Sequence, residues 1–216
     1  GELLRVAGAQ CERLGHLQLL RLPGGERAAR EPWRMAVSAL HGAGFGYRVG
    51  AWLKKTYPER DAGPLLTMLA RDLRCPPTSS LGRWFDAAAG ILGLRVEARY
   101  EGQAAMELEG LAAACGPLPP LAGGWRIQHG VLDFSPLVPA LLDCDDAAYG
   151  AALFHATLAA GLAEWALAAV DREKGAKIAV GGGCAMNAVL MSALRGHLEG
   201  AGVTLLEARQ APPNDG

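Results

Sequence analysis

The apolar positions change their period along the chain, and those changes lay out its elements. Residues 2–6 and 14–20, short and rich in Leu and Val, predict two strands of a hairpin or meander. Pro23-Gly24-Gly25 breaks that pattern, and Glu31-Pro32 opens a helix through Trp33, Met35, Ala36 and Leu40. Proline suits a helix start because its missing N–H has no partner there. Residues 42–50 are glycine-rich and predict a loop. Residues 51–73 predict one or two helices, interrupted at Pro58 and Pro64. Pro76-Pro77-Thr78-Ser79-Ser80 reads as a loop whose hydroxyls cap a helix running from near Gly82 to Leu92. A further helix over 101–114 closes at Gly116-Pro117, and 123–134 holds a short hairpin with Trp125, Ile127 and Val131 as strand residues. A long helix over 146–170 sets Phe154, Leu158, Leu162, Trp165 and Ala169 along one face. The pattern closes with a strand over 177–180, a helix over 187–198 and a strand over 203–207.

The order is informative. Two strands, a long helical stretch, then strand, helix and strand predict an α/β layer of RNase-H-like type lacking its first strand. On this reading residues 1–22 give strands of the lobe, 23–175 a mainly helical insertion, and 176–216 the strand-helix-strand unit that completes it. Such layers bind ligands at the carboxyl ends of their strands. Gly181-Gly182-Gly183 sits at such an end, between an apolar strand and a helix. A bend without side chains lets backbone N–H groups approach a nucleotide closely.

Composition narrows the function class. Half of the 216 residues are apolar and a fifth are charged, which predicts a globular chain. The formal net charge of −1 leaves no broad basis for nucleic-acid binding by phosphate neutralisation. Cys11, Cys75, Cys115, Cys144 and Cys184 are odd in number and never form Cys-x-x-Cys, so a reducing cytoplasm is expected. No signal peptide is expected from the N-terminal residues. Residues 147–163 lack formal charge, but their alanines and glycines with His155 and Thr157 suit a buried core helix and not a membrane span.

A second stretch points to the same ligand class as the glycine turn. In Thr78-Ser-Ser-Leu-Gly-Arg-Trp-Phe-Asp86, Gly82 allows close approach at a helix start, and Asp86 lies one turn further on. A carboxylate there can accept from both hydroxyls of a ribose. From spacing alone, a helix capped by Ser79 or Ser80 with Asp86 facing solvent is the favoured reading.

Six blocks occur in order: Pro23-Gly-Gly-Glu-Arg-Ala-Ala-Arg-Glu-Pro-Trp-Arg-Met35, Thr78 to Asp86, Tyr100-Glu-Gly-Gln-Ala-Ala-Met-Glu-Leu-Glu109, Ala151-Ala-Leu-Phe-His155, Gly182-Gly-Cys-Ala-Met-Asn187 and Pro213-Asn-Asp-Gly216. Together they resemble the C-terminal Kae1-like region of the hydrogenase maturation carbamoyltransferase HypF. The resemblance implies an actin/Hsp70/sugar-kinase-like fold with nucleotide in its cleft. It implies use of carbamoyl phosphate and ATP, through a carbamoyl-adenylate, and transfer to the C-terminal cysteine of a HypE-like partner for the cyanide ligands of [NiFe] hydrogenase. Gly82, Asp86 and Gly102 would contact the nucleoside, Gly182, Gly183 and Asn187 would form the opposite wall, and Asp215 would be a ligand to a divalent metal (Fe, Zn or Mg). Neither a nucleic acid nor a membrane is an expected partner. A small-molecule O-carbamoyltransferase of the same fold, or an inactive nucleotide- or partner-binding piece, are the alternatives.

The chain also departs from the family pattern. The metal-binding histidine pair and the Asp-Gly-Thr-Gly phosphate loop that precede the opening Gly-Glu in the family are not in this sequence. His16, His41, His129, His155 and His197 include no pair one turn apart. A piece cut at both ends, inactive by itself, is the expectation. His155, beside Phe154 on the long helix, reads first as a core histidine with proton transfer as its rival role. Cys184 has no identifiable base and reads as a small buried side chain. Arg27, Arg30 and Arg34 fall at helical spacing and read as a solvated face with pairs to Glu26 and Glu31.

Overall fold

Strands β1 (Glu2–Ala7) and β2 (Gln10–Leu17) form an antiparallel hairpin in the computed structural model, which describes residues 1–170, 177–208, 210 and 213. The end of β2 then runs parallel to β6 (Val131–Asp133), and β5 (Arg126–Gln128) pairs antiparallel with β6. The sheet order is β1-β2-β6-β5. His129 (φ 50°) and Gly130 (φ 80°) make the β5–β6 turn. Two consecutive left-handed residues give a turn whose twist matches that of the flanking strands. The hairpin expected over 123–134 is therefore present, with Trp125 just outside β5.

The second predicted strand divides in two. β2 stops at Leu17, and Leu20–Arg21 form β3, paired with β4 (Pro77–Thr78). The apolar pattern of 14–20 could not show that its last residues have a different partner.

Helices follow as α1 (Glu26–Arg30), α2 (Pro32–Gly42), α3 (Val49–Thr56), α4 (Gly63–Ala70), α5 (Leu81–Ile91), α6 (Gln103–Cys115), α7 (Val138–Leu142), α8 (Ala147–Ala168) and α9 (Ala188–Gly200). Two expectations are corrected. Pro64 starts α4 instead of interrupting a helix, as its missing N–H permits. Residues 46–48 form a 3₁₀ turn leading straight into α3, so the glycine-rich stretch is not wholly loop. α1 and α7, five residues each, are too short for periodicity to predict.

The core lies between these helices. α2 and α5 cross so closely that a Cβ on Gly90 would collide with the backbone of Pro32 and lie 2.9 Å from the Cβ of Ala36. α8 is the central helix, capped by Asp146, whose carboxylate accepts from the N–H groups of Ala148 and Tyr149. Phe154 and Leu158 are fully buried, and the Phe85 ring meets Phe154 edge-on at 5.0 Å. α8 is long and apolar enough to cross a membrane by length and composition, but 61% of its most apolar window is buried inside the fold. It therefore serves here as the core helix.

β7 (Lys177–Ala179) and β8 (Thr204–Leu206) run parallel, connected through α9, which packs on α8. Among the described residues they form a two-stranded sheet of their own. The chain is thus α/β, with its longest helical stretch between the first and last strands.

Candidate functional site

α5 begins at the motif that carries Gly82 and Asp86. Ser80 occupies the N-cap position, but its hydroxyl makes no capping bond, contrary to the expectation from sequence. The neighbouring hydroxyls are used elsewhere: Ser79 donates to Glu2 at 2.6 Å, and Thr78 accepts from the Ser80 N–H at 3.1 Å.

Asp86, one turn beyond Gly82, is only 5% exposed, so it does not face solvent. Arg83 Nη1 lies 3.1 Å from Oδ2, an ion-pair distance. Among the described residues Oδ2 has this ion pair but no hydrogen-bond partner. Burial pushes the carboxyl pKa up to about 6; Arg83 opposes that rise and Glu101 adds to it. An orphaned, buried carboxylate oxygen is costly unless a donor completes it.

The glycine turn follows β7. Gly182 (φ 93°) adopts a backbone that side chains disfavour, and its N–H donates to the carbonyl of Pro213 at 2.6 Å. Cys184, next in the turn, has its thiol pushed up to about 11 by burial. That shift disfavours the nucleophilic thiolate near pH 7, while the side chain is half-buried and not fully buried as the sequence suggested.

Asn187 caps α9. Its Oδ1 accepts from the Leu190 N–H at 2.8 Å, and its Nδ2 lies 3.1 Å from His155 Nε2. His155 Nδ1 lies 2.8 Å from the carbonyl of Ala151. Asn187 is 6% exposed and both amide atoms are engaged within the protein, so neither is presented to a ligand. His155 is the core histidine that sequence favoured.

Of the expected site residues that are described, only Gly82, Gly182 and Gly183 line an opening; Asp86 and Asn187 line neither of two that lie beside them. Gly82, Gly182 and Gly183 line a cleft of about 340 Å³, together with Leu17, Trp165 and Val180. Arg83, adjacent to Gly82, lines a groove of about 1540 Å³ with Tyr100 and Glu101. Gly102 (φ 77°) follows that groove's edge as the N-cap of α6 and lines neither opening. The structure therefore joins Gly82 to the glycine turn and sets Asp86 within range of both Arg83 and Glu101.

One residue escaped sequence reasoning. Glu109 Oε1 accepts from the backbone N–H of Ala188 at 2.6 Å, reaching from α6 to the first residue of α9. Nothing in the spacing of the two segments signals it. The arginine series resolves as a partly internal network: Arg27 and Arg34 both bond buried Glu31, which also accepts from Trp33 Nε1 at 2.9 Å. Asp215 lies outside the described residues. Among the described residues no group of three or more His, Cys, Asp or Glu side chains could hold a metal ion, so no metal-dependent step is derived from them.

The site fits a nucleoside on one specific count: Asp86 Oδ2 is a buried acceptor short of a donor, which a ribose hydroxyl would supply.

Comparison with known proteins gives the same direction. A family model described as carbamoyltransferase, Kae1-like domain, second subdomain, matches residues 1–216. Carbamoyltransferase HypF2 of Cupriavidus necator is 47% identical over 244 residues, covering 100% of this chain and 30% of that protein. A carbamoyltransferase HypF homolog of the same organism is 44% identical over 226 residues, covering 100% of this chain and 57% of that protein. The crystal structure of full-length HypF in its phosphate- and nucleotide-bound form matches with a TM-score of 0.79 and 26% identity, over 100% of this chain and 29% of that one. HypF of T. kodakarensis matches at 0.77 and 26% identity, over 95% of this chain and 28% of that one. The chain thus spans 30% and 57% of the two Cupriavidus necator relatives. With its whole length matched by that family model, the chain belongs to the carbamoyltransferase Kae1-like domain family, as its second subdomain.

Proposed function

We propose that this chain forms the nucleotide-facing part of a HypF-like carbamoyltransferase. On this reading the complete enzyme uses carbamoyl phosphate and ATP, through a carbamoyl-adenylate, and carbamoylates the C-terminal cysteine of a HypE-like protein in the cytoplasm. The product would serve cyanide-ligand synthesis for [NiFe] hydrogenase. The fold assignment that goes with it is an actin/Hsp70/sugar-kinase-like one. Residues 1–22 and 176–216 are then parts of one RNase-H-like lobe, and 23–175 its insertion.

The observation that carries the nucleotide reading is Asp86. Its carboxyl is raised in pKa, and its buried Oδ2, ion-paired with Arg83, has no hydrogen-bond donor among the described residues, one turn from the glycine that shares a cleft with Gly182 and Gly183. A ribose hydroxyl would complete that oxygen, and the glycines would let backbone approach the rest of the nucleotide. That a structural relative is nucleotide-bound supports the same ligand class. A divalent metal, with Asp215 among its ligands, would polarise phosphate oxygens when bound. This chain's own contribution is binding and orientation, which favour attack by holding the reacting groups in place.

Calorimetric titration of the chain with ATP tests the reading, with Asp86→Ala beside it. Loss of one charge-assisted bond is expected to weaken binding by about tenfold or more. Equal affinity in the variant removes Asp86 from the site. The isolated chain is expected not to transfer carbamoyl groups, and measured transfer to a HypE-like C-terminal cysteine overturns that expectation.

A further inference from the structure

We propose that Glu109 is a positioning residue, a carboxylate latch that seats the start of α9 and fixes the glycine turn against the insertion. The inference rests on the nucleotide reading only for its functional consequence.

Met106 and Glu109 fall at i and i+3 and so share one face of α6, which Gly102 precedes as a left-handed N-cap. That face meets α9 at its first residue, where Glu109 Oε1 takes the Ala188 N–H at 2.6 Å. The first N–H groups of a helix have no intrahelical acceptor. Two side chains satisfy them here, Asn187 taking the Leu190 N–H and Glu109 that of Ala188. A carboxylate also suits the positive end of the helix dipole. Leu108 of α6 and Leu190 and Met191 in the first turn of α9 are buried in one core, so apolar packing brings the two helices together. The hydrogen bond fixes where the first residue of α9 sits on that packing.

The consequence is a rigid path between residues that sequence placed on opposite walls. Gly102 caps α6, α6 carries Glu109, and Glu109 holds the residue after Asn187. Because the chain's own anion sits at the Ala188 N–H, a ligand phosphate does not take that position. Backbone in the glycine turn is left to meet it.

The test uses the 216-residue chain, with ATP as probe, and the variants Glu109→Ala and Glu109→Gln. Alanine favours helix, so α6 persists in the first variant. Glutamine keeps an oxygen acceptor. In Glu109→Ala the Ala188 amide proton is expected to move upfield and exchange faster, with ATP affinity about tenfold weaker. Glu109→Gln is expected to recover most of both. An Ala188 amide unchanged in Glu109→Ala overturns the latch. A changed amide with unchanged ATP affinity overturns its positioning role. If the unaltered chain binds no ATP, the nucleotide reading fails, and the Ala188 amide by itself decides whether Glu109 seats the turn.

Discussion

Asn187 Nδ2 donates to His155 Nε2 across 3.1 Å, and this bond settles which imidazole nitrogen carries the proton. Asn187 Oδ1 is already taken by the Leu190 N–H, so the amide must present its NH₂ group to the ring. Nε2 is therefore the acceptor, and Nδ1–H donates to the carbonyl of Ala151. Burial lowers the His155 pKa from its usual value, in keeping with a neutral ring.

A pH dependence follows from that pair. The unfolded imidazole takes up a proton near its ordinary pKa, while the folded one resists until lower pH. The stabilisation is therefore full above the unfolded pKa and is lost as pH falls towards the lowered folded value. Urea denaturation between roughly pH 5 and 8 should show this slope in the native chain and less of it in His155→Gln. Identical slopes would show that His155 does not titrate as described.

Asp86 has the opposite sign. Its folded pKa is raised from 3.8 to about 6. The folded state then holds the extra proton between those values, so stability is greatest at low pH and falls as pH rises through about 6. Asp86→Asn should remove that cost and stabilise the chain at neutral pH by an amount on the order of 3 kcal/mol. The same variant should bind ATP more weakly, so a thermal melt and a calorimetric titration should move in opposite directions.

Gly182 and Gly183 should separate backbone strain from ligand approach. A Cβ at either position meets nothing within 4 Å, but only Gly182 has a left-handed φ, of 93°. Gly182→Ala should cost about 1–2 kcal/mol in stability from strain. Gly183→Ala should leave stability within about 0.5 kcal/mol. A loss of ATP affinity in Gly183→Ala without a loss of stability would mark close approach of the ligand there.

Gly90 is a packing position. Its missing Cβ allows α2 to lie against α5, and its carbonyl accepts from the buried Tyr57 hydroxyl at 3.0 Å. Gly90→Ala should destabilise by about 1–3 kcal/mol, because the obstructing group is Pro32 backbone and cannot rotate away. Equilibrium denaturation checks it, and a neutral result would mean that the two helices can separate without cost.

Local pattern carried most elements. The helices at α2, α5, α6, α8 and α9 were legible because their apolar residues recur at helical spacing and glycine or proline marks their ends. The β5–β6 hairpin was legible for the same kind of reason. β3 and β4 were not, since each is two residues long and is defined only by its distant partner.

The candidate site divides along the same line. Sequence alone marked Gly82, Asp86 and the glycine turn as candidates for nucleotide contact, because residue type fixes what a backbone bend or a carboxylate can do, and left open a capped helix with Asp86 in solvent. Tertiary structure decided that Gly82 and Gly182 share a cleft, and that Asp86 is buried with one oxygen ion-paired to Arg83 but without a hydrogen bond among the described residues. It also decided that His155 and Glu109 hold the start of α9 from two other helices. Those three facts depend on contacts between segments far apart in the chain. Spacing along one segment cannot encode burial or a partner supplied by another.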